Sequence, residues 1–161
     1  MRYFDAHAHL ADYKPEEIEK VIKNAEKNNV FAIISNGTAP EANRKCLDLA
    51  KKYKIVKVAL GLFPTNALKL TDKEVEEELN FIRKNKDKII AIGEIGIDYK
   101  DVKEKDRARI EKIFIKFLDL AEELKLPAIV HSRKAEKRII EIIKDHKCKI
   151  VLHCFMGKNA K

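Results

Sequence analysis

The segment IIAIGE, at residues 89–94, joins a short apolar run to a carboxylate. An apolar run without polar alternation is typical of a strand that is buried on both faces of a parallel sheet. We expect Glu94 to end this strand on its inward face, together with Ile92 and Ile90. A buried carboxylate is costly unless it is paired or binds a metal ion. The segment therefore predicts either a metal ligand or a salt bridge to a basic residue.

Five other segments share this short, Ile- and Val-rich character, and amphipathic helical patterns separate them. The predicted strands are residues 2–7, 30–35, 55–60, 89–94, 128–131 and 149–153. Apolar residues at helical spacing predict helices around residues 18–25, 42–53, 75–82, 110–124 and 135–143. Pro15, and the capping-box pair Thr71 and Glu74, mark the starts of two of these helices. The order is therefore five βα units followed by a sixth strand.

This order predicts an α/β protein, and two parallel architectures compete for it. A doubly wound sheet usually has a Gly-rich phosphate loop after its first strand, and none follows residues 2–7. A TIM-type (β/α) barrel gathers polar residues at the ends of several strands, which is the pattern found here. Because such a barrel has eight strands and about 250 residues, we expect residues 1–161 to be one incomplete barrel domain lacking its C-terminal part. A partner that covers the open edge, or a sheet that is not a barrel, would also fit this strand count.

Four of the five histidines also fall at the ends of predicted strands. His7 and His9 alternate on one strand, so both side chains face the same side and could hold one ion. His131 and His153 end two later strands in the same way. Because the C-terminal ends of barrel strands form one rim, these histidines are expected to surround Glu94. Mixed imidazole and carboxylate ligands suit Zn, Mn or Mg.

Other polar residues near these strand ends each have two interpretations. Asp5 shares a face with His7 and could orient a histidine. Asp98 is expected to cap a turn rather than to belong to the site. Arg133 could hold a phosphate oxygen or could form a surface salt bridge. His146 lies in a charged stretch, where we expect it to be solvated.

Composition narrows the class of protein further. Of the 161 residues, 45% are hydrophobic and 37% are charged, which is typical of a globular chain. No apolar run approaches the roughly 18 residues that span a bilayer, and no secretory pattern opens the chain, so we expect a cytoplasmic protein without a membrane partner. The three cysteines are expected to be free, buried or partly buried thiols. The net charge of +8 suits a polyanion such as DNA, although abundant Lys and Glu also fit a thermophile's surface.

Four segments, taken in order, resemble the signature motifs of the TatD-type DNases, a branch of the amidohydrolase-like metal-dependent hydrolase barrels. They are FDAHAHL at 4–10, GEIGIDY at 93–99, PAIVHSR at 127–133 and VLHCFMG at 151–157. The resemblance implies a single metal-dependent hydrolase domain with two divalent ions, Mg, Mn or Zn. It also implies hydrolysis of phosphodiester bonds, either in DNA with 3′–5′ exonuclease-like action or in a small phosphodiester.

The resemblance assigns roles to residues at matching positions. His7 and His9 match the ligands of the first ion, and Glu94 matches the glutamate that both ions share. His131 and His153 match the ligands of the second ion. The resemblance and the position at a strand end together assign catalytic roles to Glu94 and Arg133. Arg133 would stabilise negative charge on the phosphate.

Two features depart from the family pattern. The aspartate that the family carries at the end of a later strand has no position among these residues, and Phe63 stands beside Pro64 where the family often has histidine. Two alternatives therefore stay open: an amidohydrolase that cleaves amides or esters, and a catalytically degenerate barrel that binds metal. Glu94 favours the phosphodiesterase, because amidohydrolases often carry a carboxylated lysine on the fourth strand. The oligomeric state is left open.

Overall fold

The structure is a computed structural model in which residues 1–156 are described. It confirms the predicted alternation of strands and helices. The strands are β1 (Tyr3–Ala8), β2 (Val30–Asn36), β3 (Val56–Leu60), β4 (Ala91–Asp98), β5 (Ala128–Arg133) and β6 (Ile150–His153). The helices are α1 (Pro15–Lys27), α2 (Pro40–Lys52), α3 (Pro64–Ala67), α4 (Asp72–Lys84), α5 (Arg107–Leu124) and α6 (Glu136–Ile143). Gly157, which ends the fourth motif, lies outside the described residues.

The six described strands form one parallel sheet whose spatial order is the order of the chain. A doubly wound sheet changes direction after its first strands, so this order excludes that architecture and is the order of a barrel. The sheet also curls. The ring of His7 on edge strand β1 stacks on the ring of His153 on edge strand β6, with the centroids 3.6 Å apart. The prediction of an incomplete TIM-type barrel is thus confirmed.

The main core lies between the sheet and its helices. All eight residues of β4 are buried, as expected of a central strand covered on both faces. Helix α5 packs there through Phe114 and Phe117, which are fully buried in the same apolar cluster as Ile92. The predicted start of α4 is confirmed, since the Glu74 carboxylate accepts from the Thr71 backbone N–H and the Thr71 hydroxyl accepts from Glu74 N.

Two details of the predicted elements were wrong. Strand β4 begins at Ala91 and continues past Glu94 to Asp98, and Ile90 precedes it with 40% of its surface exposed. Ile90 therefore does not share an inward face with Glu94. Gly96 lies inside this strand, at a point where β5 approaches closely. Helix α3 was not predicted, because four residues are too few to show a helical period.

The strands beside the opening of the barrel expose large apolar side chains. Tyr3 and Phe4 of β1, Phe31 of β2 and Val151 of β6 are each about half exposed. The rings of Phe4 and Phe31 stack with their centroids 5.9 Å apart. Apolar groups on an edge strand, or beside one as Phe31 is, form the kind of surface that a neighbouring strand or helix covers in a closed sheet.

Within residues 1–156, no helix has both the length and the apolar character that a bilayer crossing requires. All three cysteines are free thiols, as predicted. Cys46 is buried and Cys148 is partly buried, whereas Cys154 is exposed and so departs from the expected burial.

The close approach of β4 and β5 gives a stability prediction at Gly96. Its φ of +142° is disfavoured for any residue with a Cβ, and a Cβ there would lie 2.1 Å from the His131 carbonyl oxygen. We expect Gly96→Ala to lower the free energy of unfolding by about 3 kcal/mol, measured by urea denaturation. Lys100→Ala, at an exposed site in the following turn, should change it by less than about 0.5 kcal/mol. Equal effects of the two substitutions would contradict the prediction.

Candidate metal centre

The carboxyl ends of four strands bring the predicted site residues together on one rim of the sheet. His7 lies near the end of β1, and His9 follows it. Glu94 lies within β4, His131 within β5, and His153 ends β6. The carboxylate of Glu94 is 98% buried at the centre of this group. Sequential parallel pairing puts these strand ends on one side of the sheet, which is why residues far apart in the chain meet there.

Three side-chain atoms from β1 and β4 are spaced like the ligands of one ion. His7 Nε2 lies 3.2 Å from His9 Nε2, and Glu94 Oε2 lies 3.4 Å from the first nitrogen and 3.2 Å from the second. Donor atoms about 2.1 Å from an ion at tetrahedral corners lie about 3.4 Å apart. Glu94 Oε2 and His7 Nδ1 are buried without a hydrogen bond of good geometry. The chemistry and spacing of these donors therefore fit a divalent metal.

His9 is held in place by a contact outside this triad. Its Nδ1 lies 3.2 Å from the backbone carbonyl oxygen of Asn36 at the end of β2. A carbonyl accepts only, so Nδ1 carries the proton and Nε2 presents its lone pair toward Glu94. This is the usual way in which a protein orients a histidine that binds metal.

His131 lies between two carboxylates. Its Nδ1 is 3.0 Å from Glu94 Oε1, and its Nε2 is 3.1 Å from Asp98 Oδ2. Asp98 caps the following turn, as predicted, because its Oδ1 accepts from the backbone N–H groups of Lys100 and Asp101. The contact from Asp98 to His131 was not predicted, since the strand was expected to end before Asp98.

His153 joins the site from the far edge of the sheet. Three residues, His7, Glu94 and His153, each have a donor atom within 4.8 Å of the other two. One ion could bring these three atoms closer together. The ring centroids of His131 and His153 are 6.4 Å apart. The structure thus places His153 beside His7 and Glu94, whereas the resemblance paired it with His131.

The buried charges shift the pKa values of the site. Burial would raise the pKa of Glu94, but the imidazoles of His131, His7 and His9 around the carboxylate outweigh burial and hold that pKa well below its usual range. The nearby Glu94 carboxylate raises the pKa of His9. Burial opposes protonation of His131, yet the Glu94 carboxylate outweighs it and raises the pKa. Burial, and then the charge of His7, lower the pKa of His153. Glu94 is therefore a permanent anion that attracts cations.

Other predicted residues have different surroundings from those expected. Asp5 accepts from the backbone N–H of His7 and does not orient a histidine ring. Arg133 Nη1 donates to Asp101 at 3.0 Å, which is the salt bridge left open by the sequence. The expectation for His146 was wrong, because its side chain is only 11% exposed and lies 3.4 Å from Asp119. Its ring packs at the C-terminal end of α6, where Nδ1 meets the Ile142 carbonyl oxygen.

Phe63 lies directly against the site, at the position where the resemblance implied histidine. Its ring meets the ring of His131 edge to face, with the centroids 4.8 Å apart. A phenyl ring offers no hydrogen bond, so it makes this side of His131 apolar. The neighbouring polar contacts of His131 are then confined to Glu94 and Asp98.

A buried network behind the site was missed by sequence reasoning. Asn43 of α2 donates to the Gly61 carbonyl oxygen at 3.0 Å and to Glu78 Oε1 at 2.7 Å, while its own oxygen accepts from Gly61 N. Gly61 in turn packs on the backbone of Glu94, since a Cβ there would lie 2.6 Å from the Glu94 carbonyl oxygen. Asn43 is fully buried. An asparagine and a glutamate on polar helix faces gave no signal of this contact.

This network predicts a stability cost at Asn43. Asn43→Ala leaves the buried Gly61 N–H without its side-chain partner and removes one hydrogen bond from Glu78, which Arg44 still pairs. We therefore expect the free energy of unfolding to fall by about 2 kcal/mol. Urea denaturation measures it. The control is Asn80→Ala on the exposed face of α4, which should be close to neutral. An Asn43 variant as stable as the control would show that the network does not support the fold.

Comparison with known proteins identifies relatives of the whole chain. The family model described as TatD related DNase matches residues 4–161. An uncharacterized metal-dependent hydrolase of Methanocaldococcus jannaschii is 42% identical over 158 residues, covering 98% of this chain and 61% of that protein. The human deoxyribonuclease TATDN3 is 30% identical over 171 residues, covering 96% of this chain and 61% of that protein.

Solved structures agree with these relatives. The crystal structure of the TatD homologue YjjV from Escherichia coli superposes with a TM-score of 0.87 at 30% identity. It is matched over 98% of this chain and 61% of its own. A hydrolase of the TatD family from Entamoeba histolytica gives a TM-score of 0.85 at 28% identity, over 98% and 59% of the two chains. The chain therefore spans about three fifths of the length of the relatives that it matches.

Proposed function

The chain belongs to the family of TatD-related DNases, and from that premise we propose that it acts as a metal-dependent hydrolase of phosphodiester bonds. The observation that carries the proposal is the position of Glu94. Its buried carboxylate faces His7 and His9 through one oxygen and His131 through the other. A carboxylate placed in this way could contribute to two adjacent divalent ions at once.

Two divalent ions, Mg, Mn or Zn, are proposed as the cofactors. His7, His9 and Glu94 would hold one ion, and Glu94, His131 and His153 would hold the other, with the last residue also in reach of the first set. When bound, such ions act as Lewis acids on phosphate oxygens and lower the pKa of water. The described residues contribute the negative charge of Glu94, the oriented imidazoles and an apolar surface at Phe63.

The proposed substrate is DNA, attacked by 3′–5′ exonuclease-like cleavage, or a small phosphodiester. The human relative is named a deoxyribonuclease, and the net charge of +8 favours a polyanion. Arg133 stands at the end of β5 with its side chain 38% exposed. Its hydrogen bond to Asp101 uses Nη1, so Nε and Nη2 remain to hold a phosphate oxygen in the planar geometry that arginine favours.

Glu94 and Arg133 have separate proposed catalytic roles. Glu94 stays ionised because its neighbouring imidazoles hold its pKa well below the usual range, and its carboxylate would contribute one oxygen to each of the two ions. Arg133 stabilises negative charge as it develops on the phosphate.

The metal centre predicts a defined metal content. The purified chain, dialysed against zinc or manganese and measured by mass spectrometry of the metal, should retain near-stoichiometric ion. The double variant His7→Ala/His9→Ala should lose most of the ion at the first position, because two of its three donors are removed. His146→Ala, which changes a histidine outside the site, is the matched control and should retain it. An unchanged metal content in the double variant would contradict the proposed metal centre.

The role of Glu94 predicts a large kinetic effect. Glu94→Gln keeps the shape of the side chain but removes its charge, so turnover should fall by at least about 100-fold, more than the loss of an outer-shell partner. The assay uses bis(p-nitrophenyl) phosphate and 3′-labelled DNA with Mn, and circular dichroism checks that the fold is intact. Full activity in this variant would contradict the role.

A parallel panel of cyclic amides and esters tests the amidohydrolase alternative. Metal binding without turnover on any substrate would favour a degenerate barrel.

A further inference from the structure

We propose that Asp98 is a positioning residue that fixes the ring of His131, so that Nδ1 rather than Nε2 is the nitrogen turned toward the metal centre. This inference rests on the proposed metal-dependent function. It adds to the site a residue that the sequence indicated only as a turn cap. It also assigns the ring nitrogen through which His131 acts.

The carboxylate of Asp98 is completely buried, and both of its oxygens are engaged. Oδ1 accepts from the backbone N–H groups of Lys100 and Asp101, at 2.9 and 3.1 Å. Oδ2 lies 3.1 Å from His131 Nε2 and 3.7 Å from Arg133 Nη1, whose hydrogen bond goes to Asp101 instead. Asp98 itself is 0% exposed. A cap of the turn needs only the first oxygen. The second oxygen is directed at the histidine ring.

The two ring nitrogens of His131 face different carboxylates, and this difference sets their roles. Nδ1 lies 3.0 Å from Oε1 of Glu94, the shared carboxylate, while Nε2 faces Asp98. An ionised carboxylate can only accept a hydrogen bond, so Asp98 keeps a proton on Nε2. In the neutral ring the lone pair is then on Nδ1, on the side of Glu94, and neutral imidazole is the form that binds metal.

The backbone makes this contact rigid. In the ladder of β4 and β5, Gly96 pairs with His131 and Asp98 pairs with Arg133. Gly96 lets the two strands approach so closely that a Cβ would lie 2.1 Å from the His131 carbonyl oxygen. Asp98 therefore lies one pleat farther along the neighbouring strand, within reach of the ring. The two turn N–H groups fix its carboxylate, and Phe63 packs against the ring of His131.

Asp98→Asn tests this role with little change in shape. The two turn N–H groups can only donate, so they select the amide oxygen of the new side chain, and the turn stays capped. The NH₂ group must then face His131 Nε2 and donate to it. This reverses the hydrogen bond, moves the ring proton to Nδ1 and removes the lone pair from the side of Glu94. A residue that merely capped the turn would not produce this reversal.

Two measurements on the 161-residue chain carry the test. The first is zinc affinity by competition with a chelating dye, in which Asp98→Asn should weaken binding at the site that includes His131 by about 10- to 100-fold. The second is a long-range ¹H–¹⁵N spectrum of the zinc-loaded chain, which should show the His131 proton on Nε2. A proton on Nδ1, with Nε2 bound to zinc, would overturn the inference, as would an affinity unchanged by Asp98→Asn.

Two further variants separate positioning from a structural effect. Asp101→Asn removes a carboxylate from the same turn that contacts Arg133, and it should leave zinc affinity within about 2-fold of the parent, below the effect of an outer-shell partner. In a His131→Ala background, Asp98→Asn should cause no further loss of affinity, because the two residues act as one unit. The same loss in that background, or in Asp101→Asn, would reduce Asp98 to a turn cap. A parent chain that binds no zinc would instead overturn the metal centre itself, and this inference with it.

Discussion

One buried negative charge organises the rim of this sheet. The carboxylate of Glu94 is almost inaccessible to water, and imidazoles from β1 and β5 surround it. A buried charge costs several kcal/mol unless other groups compensate it, so the strands that carry these imidazoles are held to the position of β4. Much of the local structure serves this constraint. Asn43 anchors the Gly61 backbone on which Glu94 rests, and Asn36 orients His9.

The constraint also explains why the functional groups lie at strand ends. The sheet supplies rigid, hydrogen-bonded backbone up to the rim, and β1, β4, β5 and β6 present the site's polar side chains at or near their carboxyl ends. Helices on the outer face bury the apolar residues of the central strands, such as β4. A constellation built in this way is more exact than one built on loops. The same chain can therefore combine a dry core with a cluster of ionisable groups.

The sequence was sufficient for the presence of the six described strands, for the five longer helices and for the five residues that meet at the rim. Most of these strands are apolar runs, and a rim residue stands at or near the end of four of them. The short helix α3 and the full length of β4 gave no such signal. Contacts that depend on the approach of two elements gave no such signal. Asn43 and Glu78 occupy helix positions that look solvated until α2 and α4 are brought together. The sequence around Asp98 predicted a turn cap, and nothing in it indicated the second contact of Asp98, which is with His131. The burial of His146 was not predicted for a related reason. Its charged neighbours in the sequence do not indicate that its ring packs against the end of α6.

Strand order has a consequence for how the chain folds. Every described strand pairs only with its neighbours along the chain, so each βα unit can pair with the preceding one before the rest of the sheet forms. The side-chain contacts at the rim differ, because His7 of β1 meets Glu94 of β4 and stacks on His153 of β6. These contacts join strands that are not neighbours in the sheet. The donor geometry therefore depends on the curvature of the described sheet as a whole and not on any one pair of strands.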